Sequence, residues 1–265
     1  MAGDVVVSWP DDGVALVELN RPESLNSLTR EMVIEISTTL AAVGAEPGCR
    51  AVVLTGRGRG FCAGQDMKAA AGRPADESIV VKLRSQERFS GMARTIKSLR
   101  QPVIAAVNGA AAGAGMGLAL AADIRLASPT AAFHVAAVKI GLSGGECGIS
   151  WHLPRLVGAS RAAEIMMTAR PIGAEEAERI GLVSRVVPAE ELLDAALDVA
   201  RQIRANAPLS IELTKHVLWA NLSNDFDMAV DLENRTQLMA GASLDAAEAK
   251  VSFLEKRDPV WQPPT

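Results

Sequence analysis

The sequence predicts an α/β domain over residues 1–188, followed by a helical region over residues 189–265. Three observations carry that reading. Short apolar runs of strand length alternate, as far as Val187, with segments whose apolar residues recur every three or four positions. From Ala189 onward only the helical spacing persists. Within the alternating part, the stretch 101–122 carries no charged side chain: it begins as a strand, turns at Asn108-Gly109, and passes through Gly113, Gly115 and Gly117 into a small-sided helix.

Taken in order, the apolar runs 5–8 and 14–19 flank Pro10-Asp11-Asp12-Gly13 and predict a β-hairpin. Thr29 suits the N-cap of a helix presenting Met32, Ile36, Leu40 and Val43, which Glu46-Pro47-Gly48 ends. A buried strand over 51–55 leads into the glycine-rich loop 56–66. A long helix over 76–99 repeats Phe89, Met92, Ile96 and Leu99 on one face and delivers the chain to a strand over 103–107. Strands over 123–127 and 131–135 surround Pro129, a third glycine-rich loop spans 141–148, and a helical pattern runs from Ile149 to Pro154. A helix over 171–180 and a strand over 183–187 close the alternating part. The tail divides into helices over 189–205, 209–221, 225–239 and 244–256, parted by Pro208, Asn224 and Gly241. With little sheet left to pack on, such amphipathic helices predict burial on the body or on another subunit, hence oligomerisation.

Composition excludes several classes. Hydrophobic content of 49% is ample for a core, and a net charge of −4 with mixed signs argues against a nucleic-acid surface. The three cysteines, Cys49, Cys62 and Cys147, are odd in number, widely spaced and without metal-ligand spacing to a histidine; they fit a reduced compartment, and no metal is expected. The N-terminus lacks a basic region followed by an apolar core, so no secretory signal is expected and the predicted location is cytoplasmic. The uncharged stretch is long enough to cross a bilayer, but its Asn-Gly turn and glycines break it, and no membrane association is predicted. It fails as a dinucleotide or P-loop fingerprint on spacing, since Leu118 stands where a third glycine should be. Read alone, this stretch is a packed strand and helix, and the loop 56–66 a flexible surface connection with solvated arginines. Two small-residue loops of similar chemistry in one chain favour a shared functional role.

The residues also resemble a family. Asn20-Arg21-Pro22-Glu23-Ser24-Leu25-Asn26, Phe61-Cys62-Ala63-Gly64-Gln65-Asp66-Met67-Lys68, Ala106-Val107-Asn108-Gly109 with its glycines, Leu153-Pro154-Arg155-Leu156-Val157-Gly158 and Phe253-Leu254-Glu255-Lys256-Arg257-Asp258-Pro259 are similar, in order, to the crotonase or enoyl-CoA hydratase/isomerase superfamily. The resemblance implies a crotonase-like spiral of ββα turns, a C-terminal helical trimerisation region giving a homotrimer or homohexamer, and an acyl-CoA thioester as substrate, with no cofactor, the coenzyme A being part of that substrate. It implies that the backbone N–H groups of Gln65 and Ala114 form an oxyanion hole around the thioester carbonyl. By the same resemblance Glu23, Leu25, Ala63, Gln65, Asp66, Met67, Lys68, Phe253 and Lys256 line the coenzyme A, with Lys256 reaching a phosphate. Asp66 and Asp123 read as structural hydrogen-bonding residues.

Where hydratases of the family hold two glutamates, this chain has Gly117 and Ala137, and neither transfers protons. Glu146 is the only acidic residue between Asp123 and Glu164, and related dienoyl-CoA and epoxide isomerases resemble this chain in placing an acid there. One carboxylate can move a proton between two carbons while an oxyanion hole holds the dienolate, best with its pKa raised by burial. The competing reading makes Glu146 a cap of the following helix. The function this implies is isomerase-like; the alternatives are a hydratase with non-standard acid/base residues and an acyl-CoA binding protein without chemistry. His134 and His152 read as packed or solvated histidines, and Cys147 as a small buried thiol.

Overall fold

The computed structural model describes residues 3–71 and 77–262. It opens with the predicted antiparallel hairpin, β1 (Val5–Asp11) and β2 (Val14–Leu19), turning where Gly13 takes a φ of 72°. β1 runs further than expected because Trp9, Pro10 and Asp11 continue an edge strand past an irregularity after Ser8, where a proline is tolerated. In α1 (Arg30–Ala45), Thr29 accepts from the Met32 N–H and the stripe Met32, Val33, Ile36, Leu40 and Val43 is buried.

The chain then repeats one pattern: a strand in a large sheet, a short strand in a small sheet, and helix. β3 (Ala51–Gly56) and β4 (Gly60–Cys62) lead to α2 (Met67–Ala71) and α3 (Ile79–Ser98). β5 (Val103–Val107) and β6 (Ala110–Ala112) lead to α4 (Ala114–Ala121). β7 (Ile124–Ala127) and β8 (Ala132–His134) lead to α5 (Ile149–Val157) and α6 (Ala159–Thr168). β9 (Ile172–Gly173), α7 (Ala174–Arg179) and β10 (Arg185–Val186) close the body. The large sheet has the order β1-β2-β3-β5-β7-β10 and the small one β4-β6-β8-β9, parallel except at β1–β2 and β8–β9. This is the spiral of ββα turns.

Several expectations shift. β4 and β6 lie inside what reads as loop and helix start, since three residues are too few to show a period of two. The predicted start of α3 at Asp76 lies outside the described residues; Ser78 caps the helix by accepting from the Val81 N–H. α5 passes through Pro154, which forgoes one backbone bond near the helix end. The segment 171–180 begins as strand and becomes helix only at Ala174, and the strand expected over 183–187 shortens to two residues.

The tail meets the expectation of burial on the body and overturns the expectation of little sheet to pack on. α8 (Leu192–Arg204) lays Leu192, Ala196, Leu197 and Ala200 on Leu16, Val53, Ile104 and Leu126, covering the outer face of the large sheet. The first tail helix thus has sheet to pack on, because largely parallel strands need cover on both faces. α9 (Pro208–Asn221), α10 (Phe226–Gly241) and α11 (Leu244–Glu255) follow, with few buried residues. Among the described residues no helix is long and apolar enough to cross a membrane.

Candidate functional site

β4 and β6 are neighbouring parallel strands, so the segments leaving their C-terminal ends run side by side. The contact is backbone on backbone. A Cβ on Gly64, whose φ is +84°, would stand 2.6 Å from the Ala112 carbonyl oxygen and 3.6 Å from the Ala114 nitrogen, and one on Gly115 would strike the Cys62 carbonyl. Glycine is required at both positions. Gln65 pairs with Leu28 in a parallel bridge, where the Leu28 N–H donates to Gly64 (2.7 Å) and the Asp66 N–H donates to Leu28 (2.9 Å). That pattern turns the Gln65 N–H away from Leu28. The Ala114 N–H opens α4 and belongs to the first turn, whose amides have no intrahelical acceptor. Neither N–H donates to an acceptor among the described residues.

The loop 141–148 carries Glu146 to the same place. Its Oε1 lies 3.2 Å from where a Cβ on Gly113, the N-cap of α4, would stand. The carboxylate is half-buried, makes no hydrogen bond or ion pair among the described residues, and burial pushes its pKa above the ordinary glutamate value. It does not cap α5. The N-cap there is Gly148, without a side-chain bond, and Glu146 contributes only its carbonyl oxygen, which accepts from the Ile149 N–H at 2.8 Å. Gly117 lies one turn into α4 and Ala137 opens a short 3-10 turn; both are buried.

Glu23 sits in the 3-10 turn Pro22–Ser24, and Leu25, at φ 53°, accepts from the Ala63 N–H at 2.9 Å, so these residues lie along the loop. Asp66 is structural, as expected. Its Oδ1 accepts from the Lys68 and Ala69 N–H groups, both at 3.1 Å, starting α2, while Oδ2 accepts from Arg21 and Ser27. The Ala69 N–H first, then these side chains, hold its carboxyl below the usual range. Met67 and Lys68 are exposed on α2. Phe253 on α11 and Lys256 at its C-cap make no hydrogen bond or ion pair to this loop among the described residues; the structure does not join them to the other predicted site residues.

Two residues without a predicted role hold the loop. Buried Asn26 donates through Nδ2 to the Arg57 (3.0 Å) and Gly60 (2.8 Å) carbonyls, and Asn108 donates to those of Gly56 and Gly58, each at 2.8 Å. The segment 56–62 is therefore pinned and largely buried, not a flexible connection. For Asn108 the available signal was an asparagine directly following an apolar run, since a buried amide must find several partners; Asn26 follows no such run. Elsewhere, burial pushes His152 down to about 4 and raises the Cys62 and Cys147 thiols to about 12, which leaves the thiols inert.

A model of the enoyl-CoA hydratase/isomerase family matches residues 10–264. The chain belongs to that family. Like other hydratase/isomerase-family members it is an acyl-CoA enzyme. It is 43% identical to the "Probable enoyl-CoA hydratase EchA12" of Mycobacterium tuberculosis, over 97% of this chain and 92% of that protein. It is 37% identical to the "1,2-epoxyphenylacetyl-CoA isomerase" of Escherichia coli, over 97% of each. A solved enoyl-CoA hydratase from Bacillus anthracis superimposes with a TM-score of 0.93 at 32% identity, covering 98% of this chain and 100% of that one.

Proposed function

We propose that this family member isomerises the double bond of an enoyl- or dienoyl-CoA, with Glu146 as the proton shuttle and the Gln65 and Ala114 amides as the oxyanion hole. The observation that carries the reading is a half-buried carboxylate beside two amides, all three unpaired among the described residues. The thioester oxygen lodges against the two N–H groups. Glu146 removes a proton from the α carbon of a 3-enoyl thioester or the γ carbon of a 2-enoyl one, negative charge collects on that oxygen, and the protonated Glu146 returns the proton to the γ or the α carbon respectively. No water enters the balance. Losing one such amide donor costs roughly a hundred- to thousandfold in rate. The similarity to a protein named an epoxyphenylacetyl-CoA isomerase supports isomerisation, whereas hydration would leave Glu146 alone to position and deprotonate water.

In this reading the coenzyme A runs along Glu23, Leu25, Ala63 and the segment 65–68, and Phe253 and Lys256 reach it from the tail of the same or a neighbouring subunit. The thioester brings its own coenzyme A and the reaction uses no other cofactor. A homotrimer or homohexamer is supported by exposed Phe226, Leu238, Leu244, Phe253 and Leu254 on α10 and α11, beside a cleft of about 1200 Å³. A cytoplasmic location is supported by three free, buried cysteines. The test is incubation with crotonyl-CoA and a 3-enoyl-CoA in deuterated water: exchange or isomerisation that vanishes in Glu146→Gln is expected. Binding without exchange, or hydration undiminished in Glu146→Gln, would overturn the reading.

A further inference from the structure

Gly113 and Gly117 stand one turn apart on the same face of α4, and both meet the bend that carries Glu146. Gly113 receives the Glu146 carboxylate. Gly117 receives the next residue: a Cβ at 117 would come 2.6 Å from the Cys147 Cβ and 2.8 Å from its carbonyl oxygen. Cys147 is 4% exposed and holds a left-handed φ of 47°, which persists in a non-glycine residue only where the surroundings impose it. Here the surroundings are the bare face of α4.

We infer that the contact between Gly117 and Cys147 positions Glu146, and that a side chain at 117 and the present placement of Glu146 exclude one another. The inference rests on Glu146 being the proton shuttle. Cys147 is a positioning residue acting through its backbone and Cβ; its thiol takes no part. It follows that this site cannot be turned into a two-glutamate site by adding carboxylates at 117 and 137, because the side chain at 117 would push out the bend that supplies Glu146. Among the described residues the titratable groups packed around the bend are the Cys62 and Cys147 thiols, both uncharged, and His152, whose ring lies 3.3 Å from where a Cβ on Gly148 would stand and which burial pushes down to about 4; burial raises Glu146, so the acid limb of its pH profile reports how well the bend is seated.

The test follows exchange kinetics against pH in Gly117→Ala, Cys147→Gly, Cys147→Ala, the double variant Gly117→Ala/Cys147→Gly and Glu146→Gln, with folding checked by circular dichroism. Cys147→Ala keeps the Cβ and is expected within about twofold of the parent, since an inert thiol contributes nothing. Gly117→Ala is expected to lower kcat about a hundredfold with KM unchanged, as a misplacement of this size does, and to move the acid limb down toward ordinary glutamate. Adding Cys147→Gly removes the Cβ clash and recovers about tenfold of that loss. Parental kcat and acid limb in Gly117→Ala would overturn the inference, as would the same in Cys147→Gly should Gly117→Ala not fold. Hydration by Gly117→Glu/Ala137→Glu with Glu146-dependent exchange intact would overturn it too. Exchange surviving in Glu146→Gln would instead overturn the functional reading beneath it.

Discussion

Helix α4 has a carboxylate at each end, and the two are kept in opposite ways. Asp123, just past the C-terminal end, is saturated: Oδ2 accepts from the Val103 N–H and the Lys215 ammonium, each at 2.8 Å, and Oδ1 from the Trp219 indole at 2.6 Å. Lys97 stands 3.7 Å away over the Trp219 ring, and Arg125 donates to the Ala122 carbonyl at 2.7 Å. Glu146, at the N-terminal end, has no partner among the described residues and is raised by burial. A partnered buried carboxylate ties α9 to the body. An unpartnered one costs stability, and its free oxygens are available for chemistry.

The comparison breaks first at Glu146. Glu146→Gln is expected to lower proton exchange by about a hundred- to ten-thousandfold, measured by deuterium incorporation. The same change at Asp123 should leave the chemistry standing and damage the fold: Asp123→Asn strands two lysines and is expected to destabilise by roughly 3–5 kcal/mol in urea unfolding. Trp219→Phe removes one hydrogen bond to that carboxylate, for a loss of about 1.5–3 kcal/mol by the same measurement.

Smaller effects appear in the pH dependence of stability. Burial, outweighing Asp123, pushes Lys97 down to about 7, so between there and the ordinary 10.5 the unfolded chain binds a proton that the folded chain does not. Stability therefore rises with pH across that window and is lowest below it, and Lys97→Met should flatten the rise in urea midpoints taken at about pH 6.5 and about pH 9.5. At Glu146 the sign is reversed. Its folded pKa lies above 4.5, so its contribution is full below that value and is lost as pH rises through the folded one. Glu146→Gln should thus raise Tm slightly at neutral pH while abolishing exchange, whereas Asp123→Asn lowers Tm; a fall in Tm for Glu146→Gln would erase the contrast between the two ends.

Most of the strands and helices were legible because their signals are local. Met32, Ile36, Leu40 and Val43 mark α1 by spacing alone, and Thr29 caps it as expected. Gln65, Ala114 and Glu146 were legible as candidates through the motifs around them, and Asp66 as a structural residue. Less legible were β4 and β6, three residues each, whose ladders exist only once neighbouring strands supply them. Asn26 and Asn108 likewise show their purpose only beside the carbonyls they pin. The sheet-covering role of α8 depended on an apolar face assembled from β2, β3, β5 and β7.

By itself, then, the sequence determined the elements, the bare glycines of the two loops and the lack of carboxylates at positions 117 and 137. These are properties of short stretches, set by side-chain period, capping and backbone freedom. Only the tertiary structure decided that the Gln65 and Ala114 amides are both left unpaired among the described residues, and that Glu146 faces Gly113 instead of capping α5. Those outcomes depend on strand register and on which backbones come into contact, and residues so far apart in the chain fix neither until the parallel sheets close around them.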